Sequence, residues 1–330
     1  MFNRPLIRAY PLYPGQMGVP GSDVSMGLRA NPNGIVLYVD ANHPNATATA
    51  DGTDPNNPIT TITAAMTKLA AFHALSEIQA EGSVIVIAPG TYTDSIALDQ
   101  ATYPNDCSII GCGNSKFDVI WVPAAGDALS LDVSGWLIDG IHFQPAADGA
   151  GVKLTWNAGS GAEDTVIQNC FFDGRWGTGL YGIEFEGAPA NCTIQNNRFA
   201  EFDAASPCII ANGSATADPY QTHILDNTFQ ECAEYITVTV GSGYNASIIA
   251  GNHFVNATGA LAATTTFIDL GTMGTGYNQV VGNYFDGDYS NAGGYTAEGT
   301  GNDNWVGNFA FDVGEAEVGD NGVTIAEPAA

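Results

Sequence analysis

Through the last two thirds of the chain a short phrase returns: an aliphatic residue, a centre rich in Asn, Gly or Asp, and a closing Phe. It occupies Ile138–Phe143, Ile167–Phe172, Ile194–Phe199, Ile224–Phe229, Ile249–Phe254 and Val280–Phe285, and successive closing Phe residues are 29, 27, 30, 25 and 31 positions apart. A near-constant period of this size marks a repeat whose unit buries its apolar face only against copies of itself. Gly or Asn at the centre of so short a stretch weakens a helix, whereas Ile, Val and Phe flanking a bend suit a strand. Alternating with the phrases, segments 128–133, 151–156, 182–186, 208–211, 235–240 and 266–270 interleave apolar and polar side chains, which points one face inward. Two strands and two loops per period describe one rung of a parallel β-helix.

Asn197, Asn227, Asn252 and Asn283 each stand two residues before a closing Phe, where Ile141 and Cys170 stand in the earlier phrases. Stacked rungs bring these amides into a column of mutual hydrogen bonds that begins at Asn197. Such a ladder is a structural feature, because each buried amide left unpaired costs about 1–3 kcal/mol.

Ahead of the repeats the pattern changes twice. Residues 1–34 carry five prolines and no apolar period, and read as an extended attachment arm with Phe2, Arg4, Arg8, Tyr10, Leu12 and Tyr13 as its anchors. Residues 35–82 open with a strand, Ile35–Val39, continue in an Asp/Asn-rich loop, and then place Ile62, Met66, Leu69, Phe72, Leu75 and Ile78 at helical spacing. The expected helix covers residues 60–81, with Thr60 or Thr61 capping its start and Gly82 its end, and it plugs the open end of the solenoid. The β-helix proper then spans 83–313, and residues 314–330 form an acidic tail.

Charge narrows the partners. Eight Lys and Arg against 35 Asp and Glu give a net charge of −27, which repels nucleic acid, anionic membranes and polyanionic sugars. The N-terminal residues lack the apolar core of a secretory signal, so the expectation is assembly in a cytoplasm without export. Cys107, Cys112, Cys170, Cys192, Cys208 and Cys232 show neither metal-ligand spacing nor disulfide density and read as buried free thiols.

The run Tyr38–Asp40, Asp51–Pro55, Pro58–Ile62, Val84–Tyr92 and Ile109–Gly113 resembles the opening segment of the pectin-lyase-like β-helix superfamily, over about residues 35–313. The resemblance implies a right-handed, single-stranded parallel β-helix in an all-β chain, capped by the N-terminal helix. It is most like the phage virion and tailspike members, and such phage β-helices are often trimers, so a homotrimer is what the resemblance implies. The superfamily's lyase, polygalacturonase and esterase residue sets do not carry over. Lys116, Lys153, Arg175 and Arg198 are the only cations beyond residue 68, too few for a lyase base and its partners.

Two functions follow. The first is a non-enzymatic structural protein on a phage surface, a decoration, fiber or spike held to other virion proteins by residues 1–34. The second is a carbohydrate-active β-helix, a tailspike-like depolymerase or a module that binds neutral glycan. For it, Arg175, Trp176 and Tyr181 are the sugar-binding set, and Asp173, Glu184 and Glu186 are the candidate acid and base. Glu184 and Glu186 share strand parity and should face the same side. Asp40, Asp51 and Asp54 supply oxygens suited to Ca2+, although turn-forming Asp and Asn account for the same pattern, and no cofactor is otherwise implied.

Overall fold

The computed structural model describes residues 34–157, 159–175, 178–203, 206–213, 218–239, 242–256, 266–271, 276–287, 302–312 and 323–324. The arm anchors Phe2, Arg4, Arg8, Tyr10, Leu12 and Tyr13 lie outside these, as do Trp176 and all of the tail except Val323–Thr324.

The chain winds into a parallel β-helix with three sheets rather than two. The first sheet stacks ten strands, from Val36–Val39 and Val84–Ile87 to Asn304–Val306. The second runs from Gly90–Tyr92 to Phe309–Asp312, and the third from Ile96–Asp99 to Thr266–Ile268. Each phrase is therefore two strands on two sheets: Thr193–Gln195 belongs to the first, Arg198–Ala200 to the second, and only Asn196 and Asn197 turn the corner. Ten strands about 4.8 Å apart span roughly 43 Å.

That two-residue corner explains the centre of the phrase. Gly140, Asn169, Asn196, Asp226, Gly251, Gly282 and Gly307 all hold positive φ, between 53° and 73°. This left-handed region is open to Gly and tolerated by Asn and Asp, so the repeat accepts little else there.

The next residue turns inward and builds the ladder. The Asn197 Oδ1 accepts the Cys170 N–H at 2.9 Å, the Asn227 Oδ1 accepts the Asn197 N–H at 2.9 Å, and Asn252 and Asn283 serve the turns below them in the same way. Asn308 closes the column, an extra member that accepts the Asn283 N–H at 3.0 Å. Beside it the closing Phe side chains stack through the core, with ring centroids 4.7–5.1 Å apart from Phe143 to Phe285.

The capping helix is Ile62–Leu75, with a separate turn at Glu77–Ala80, so the expected continuous helix breaks at Ser76. Thr61 is its cap, accepting the Ala64 N–H at 3.2 Å. Ile62, Ala65, Met66 and Leu69 join Leu37, Val39 and Ile85 in the core. Leu75, expected on that face, is 85% exposed, because the apolar contact ends a turn earlier. No described helix is long and apolar enough to cross a membrane.

Candidate functional site

Inward positions are committed to packing, so any chemistry belongs to the outer faces and corners. On the third sheet, parallel pairing puts Lys153 beside Glu184, and Thr155 beside Glu186 and then Asn212. The parity expectation holds: Glu184 and Glu186 lie on the same side, and both reach one cation. Lys153 Nζ stands 3.1 Å from Glu186 and 3.6 Å from Glu184, and the Asn212 Nδ2 donates to the Glu184 Oε1 at 2.7 Å. Glu184 is only 5% exposed despite its outward direction. Burial pushes the Lys153 ammonium down, but the two glutamates outweigh it and hold it above its ordinary value. Tyr181, at the start of the same strand, has its phenol raised by burial and then by Glu184.

This group is tied together rather than poised. A buried carboxylate that loses its cation keeps its desolvation cost. Lys153→Met should therefore lower stability by about 1–3 kcal/mol, less than for a fully buried pair because the lysine side chain is 20% exposed. Urea melts check this, and adding Glu184→Gln should recover most of the loss. An unchanged midpoint in Lys153→Met would mean the pair contributes nothing.

Asp173 sits elsewhere, on the second sheet, paired in register with Ala200. The expected partnership of Asp173 with Glu184 or Glu186 is thus divided between two sheets. What Asp173 does meet is the His142 Nε2 at 3.3 Å, the Gln144 amide at 3.3 Å and the Arg175 N–H at 2.8 Å. Burial raises its carboxyl, but these hydrogen bonds, led by that of His142, bring it below the ordinary carboxylate range. A depressed folded pKa contributes stability that is present above the unfolded value of about 3.9 and lost as pH falls through the folded one. Asp173→Asn should accordingly be less stable than the native chain at neutral pH, with the gap closing below about pH 4. A gap that stays constant from neutral to acid pH would refute this.

Arg175 is exposed at φ 53° on the corner, and its side chain meets no carboxylate within ion-pair distance among the described residues. Asp40, Asp51 and Asp54 spend their oxygens on their own loop, accepting from the Asn42 N–H, the Thr53 hydroxyl and the Asn56 N–H. Among the described residues no three His, Cys, Asp or Glu side chains converge on a metal-sized site. All six cysteines are buried and none is in a disulfide, and burial pushes Cys107, Cys112, Cys170 and Cys192 up to about 12. A thiol that high is no nucleophile at neutral pH.

No family model matches the sequence, and no curated protein does. Among solved structures, a Geobacillus virus E2 protein, ORF18, aligns at 10% identity and TM-score 0.44, over 70% of this chain and 53% of its own. The pectate lyase Pel9A aligns at 14% identity and TM-score 0.46, over 77% of this chain and 64% of its own. A pectin methylesterase from Aspergillus niger aligns at 12% identity and TM-score 0.39, over 91% and 92%. The chain thus spans about half the length of the viral structure and just under two thirds of the lyase. The strand registers above establish by themselves that this chain is a parallel β-helix.

Proposed function

We propose that this chain is a non-enzymatic structural protein of a phage particle: an external decoration, fiber or spike whose rigid β-helix body is fastened to other virion proteins through residues 1–34. The observation that carries this reading is how the candidate acid and base groups are arranged. Asp173 and the Glu184–Glu186 pair stand on different sheets, and each is consumed by a local partner, His142 in one case and Lys153 in the other. The amide ladder from Asn197 to Asn308 and the aromatic stack from Phe143 to Phe285 tie successive turns together, which suits a stiff spacer. The arm's prolines reduce the entropy lost on docking, and its aromatic residues supply anchors. Attachment at one end would put the body on the virion surface, and assembly in the host cytoplasm fits buried cysteines that form no disulfide.

The test removes residues 1–34. The truncated chain should fold, keep its far-UV spectrum, and fail to enter particles, while Asp173→Asn and Glu184→Gln chains enter normally. The second reading is a carbohydrate-active β-helix on neutral glycan, favoured by Tyr181 beside the Lys153, Glu184 and Glu186 group. Normal incorporation of the truncated chain, with Glu184-dependent cleavage of a host glycan by the intact one, would put that reading in place of the first.

A further inference from the structure

At its N-terminal end the first sheet is apolar on both faces. Leu37, Val39, Ile85, Ile87 and Ile109 point into the main core, whereas Tyr38, Val84, Val86 and Cys112 form a second cluster with Val36 and Ile110 on the opposite face. Register aligns this outward layer in two columns, Val36–Val84–Ser108–Leu137 and Tyr38–Val86–Ile110–Asp139. From the fifth strand on, the same columns are half-buried, as at Val166, Gln168, Thr193 and Gln195. Over the earlier strands, by contrast, Val84, Val86, Ser108 and Leu137 are between 1% and 4% exposed. Outward side chains withdrawn this far from water need a cover, and the apolar residues described against the second cluster, Val36 and Ile110, belong to the layer itself.

The chain contains a cover of matching chemistry. No period runs the length of residues 1–34, but residues 24–31 alternate, with Val24, Met26, Leu28 and Ala30 at one parity and Ser25, Gly27, Arg29 and Asn31 at the other. Pro32, Asn33 and Gly34 follow, a sequence suited to reversing the chain. The described chain then begins at the edge of the layer. The Ile35 N–H donates to the Ser83 Oγ at 3.1 Å, and a Cβ added to Gly34 would stand 2.8 Å from the Gly82 carbonyl oxygen. Three extended residues reach only about 10 Å, so residue 31 starts beside Val36 and Val84. The far edge of the first strand is already bonded at Tyr38, to Gly52 and Ile59, which leaves the face and not the edge to be covered. Charge agrees, since residues 1–33 carry three Arg against Asp23 alone on a chain of net charge −27.

We propose that residues 24–31 dock on the outer face of the first sheet of their own chain, where Val24, Met26, Leu28 and Ala30 cover Tyr38, Val84, Val86, Ile110 and Cys112. Extended, residues 24–30 span about 20 Å, enough to cross the first four strands. The arm is thereby divided: this segment clamps it to the body, and Phe2, Tyr10, Leu12 and Tyr13 are left for a partner. The clamp itself stands whether or not the chain belongs to a particle, and its test needs none.

Cys112 reports on the clamp, because it lies in the outward layer while the other five cysteines belong to the main core. Burial, followed by Asp139, pushes its thiol up to about 12, and uncovering it should return it toward its ordinary range and make it reactive. The full-length chain carrying Met26→Asp and Leu28→Asp should react with dithiobis(nitrobenzoate) at a single thiol, at least about tenfold faster than the native chain and with an unchanged far-UV spectrum. Adding Cys112→Ser should abolish that reaction. Ser25→Asp with Gly27→Asp, at the opposite parity, should leave the native rate unchanged. A Cys112 that reacts no faster after the Met26 and Leu28 substitutions overturns the proposal, and so does equal acceleration by both aspartate pairs. If the Met26 and Leu28 variant unfolds and all its thiols react, methyl nuclear Overhauser effects in the native chain decide. Cross-peaks from Met26 or Leu28 to Val86 or Ile110 sustain the clamp, and their absence refutes it. In a mixture of labelled and unlabelled chains, cross-peaks found only between copies would mean that arms are exchanged, which overturns docking within one chain.

Discussion

Phe229→Ala should cost about 3–5 kcal/mol, among the largest single losses available in this chain. Its ring lies between Phe199 at 4.8 Å and Phe254 at 4.7 Å, nearly parallel to both, with Tyr235 edge-on at 5.9 Å. The gap between rings matches the strand spacing, so neighbours cannot close over the cavity without shortening the sheet itself. Phe285 tests the same logic from the end of the stack. Among the described residues it has one stacked neighbour, Phe254, and an edge contact with Phe267, so Phe285→Ala should cost distinctly less. Urea titration followed by near-UV circular dichroism checks both. Equal losses at the two positions would mean the rings act as separate apolar plugs and not as a stack.

The stack was legible because its spacing is written in the sequence: six Phe residues at a near-constant interval, each after a bend. The ladder was legible for the same reason, but only from Asn197 to Asn283. Asn308 escaped because its turn replaces the aliphatic residue with Trp305 and the closing Phe with Ala310, both aligned with their predecessors only by strand register. The division of the phrase between the first and second sheets was also hidden. A corner of two residues leaves no loop to read, and a bent strand and two short strands share one alternation. The left-handed φ of the corner is the signal that separates them, since it demands Gly, Asn or Asp at a single position.

The candidate sites were less legible for a reason of geometry. Parity within a strand places Glu184 and Glu186 on one side, but Lys153 comes from the turn before, and only the register makes it their partner. Asp173 is near the glutamates in sequence, but its strand belongs to another sheet. In a solenoid the sequence period reveals what repeats. What occurs once, on an outer face, depends on which residues from adjacent turns fall side by side.

Asn227→Ala provides the sharpest test of the ladder, because each of its bonds has a named partner. Its Oδ1 is the acceptor for the Asn197 N–H, and its Nδ2 donates to the Ile194 carbonyl at 2.9 Å and to the Asn252 Oδ1 at 3.1 Å. Alanine leaves the buried Asn197 N–H without an acceptor and removes two further bonds. A loss of about 2–4 kcal/mol should follow, one unsatisfied buried donor plus the net worth of the bonds removed. Thr228→Ala, one residue on and at the outer surface, should stay within about 0.5 kcal/mol. Because a solenoid can open locally, hydrogen exchange gives the more specific readout. The Asn197 amide should lose its protection in Asn227→Ala, while the Asn283 amide, whose acceptor is Asn308, keeps its own. If Asn197 stays protected and the melt is unchanged, the column is only an alignment of amides and does not hold the turns together.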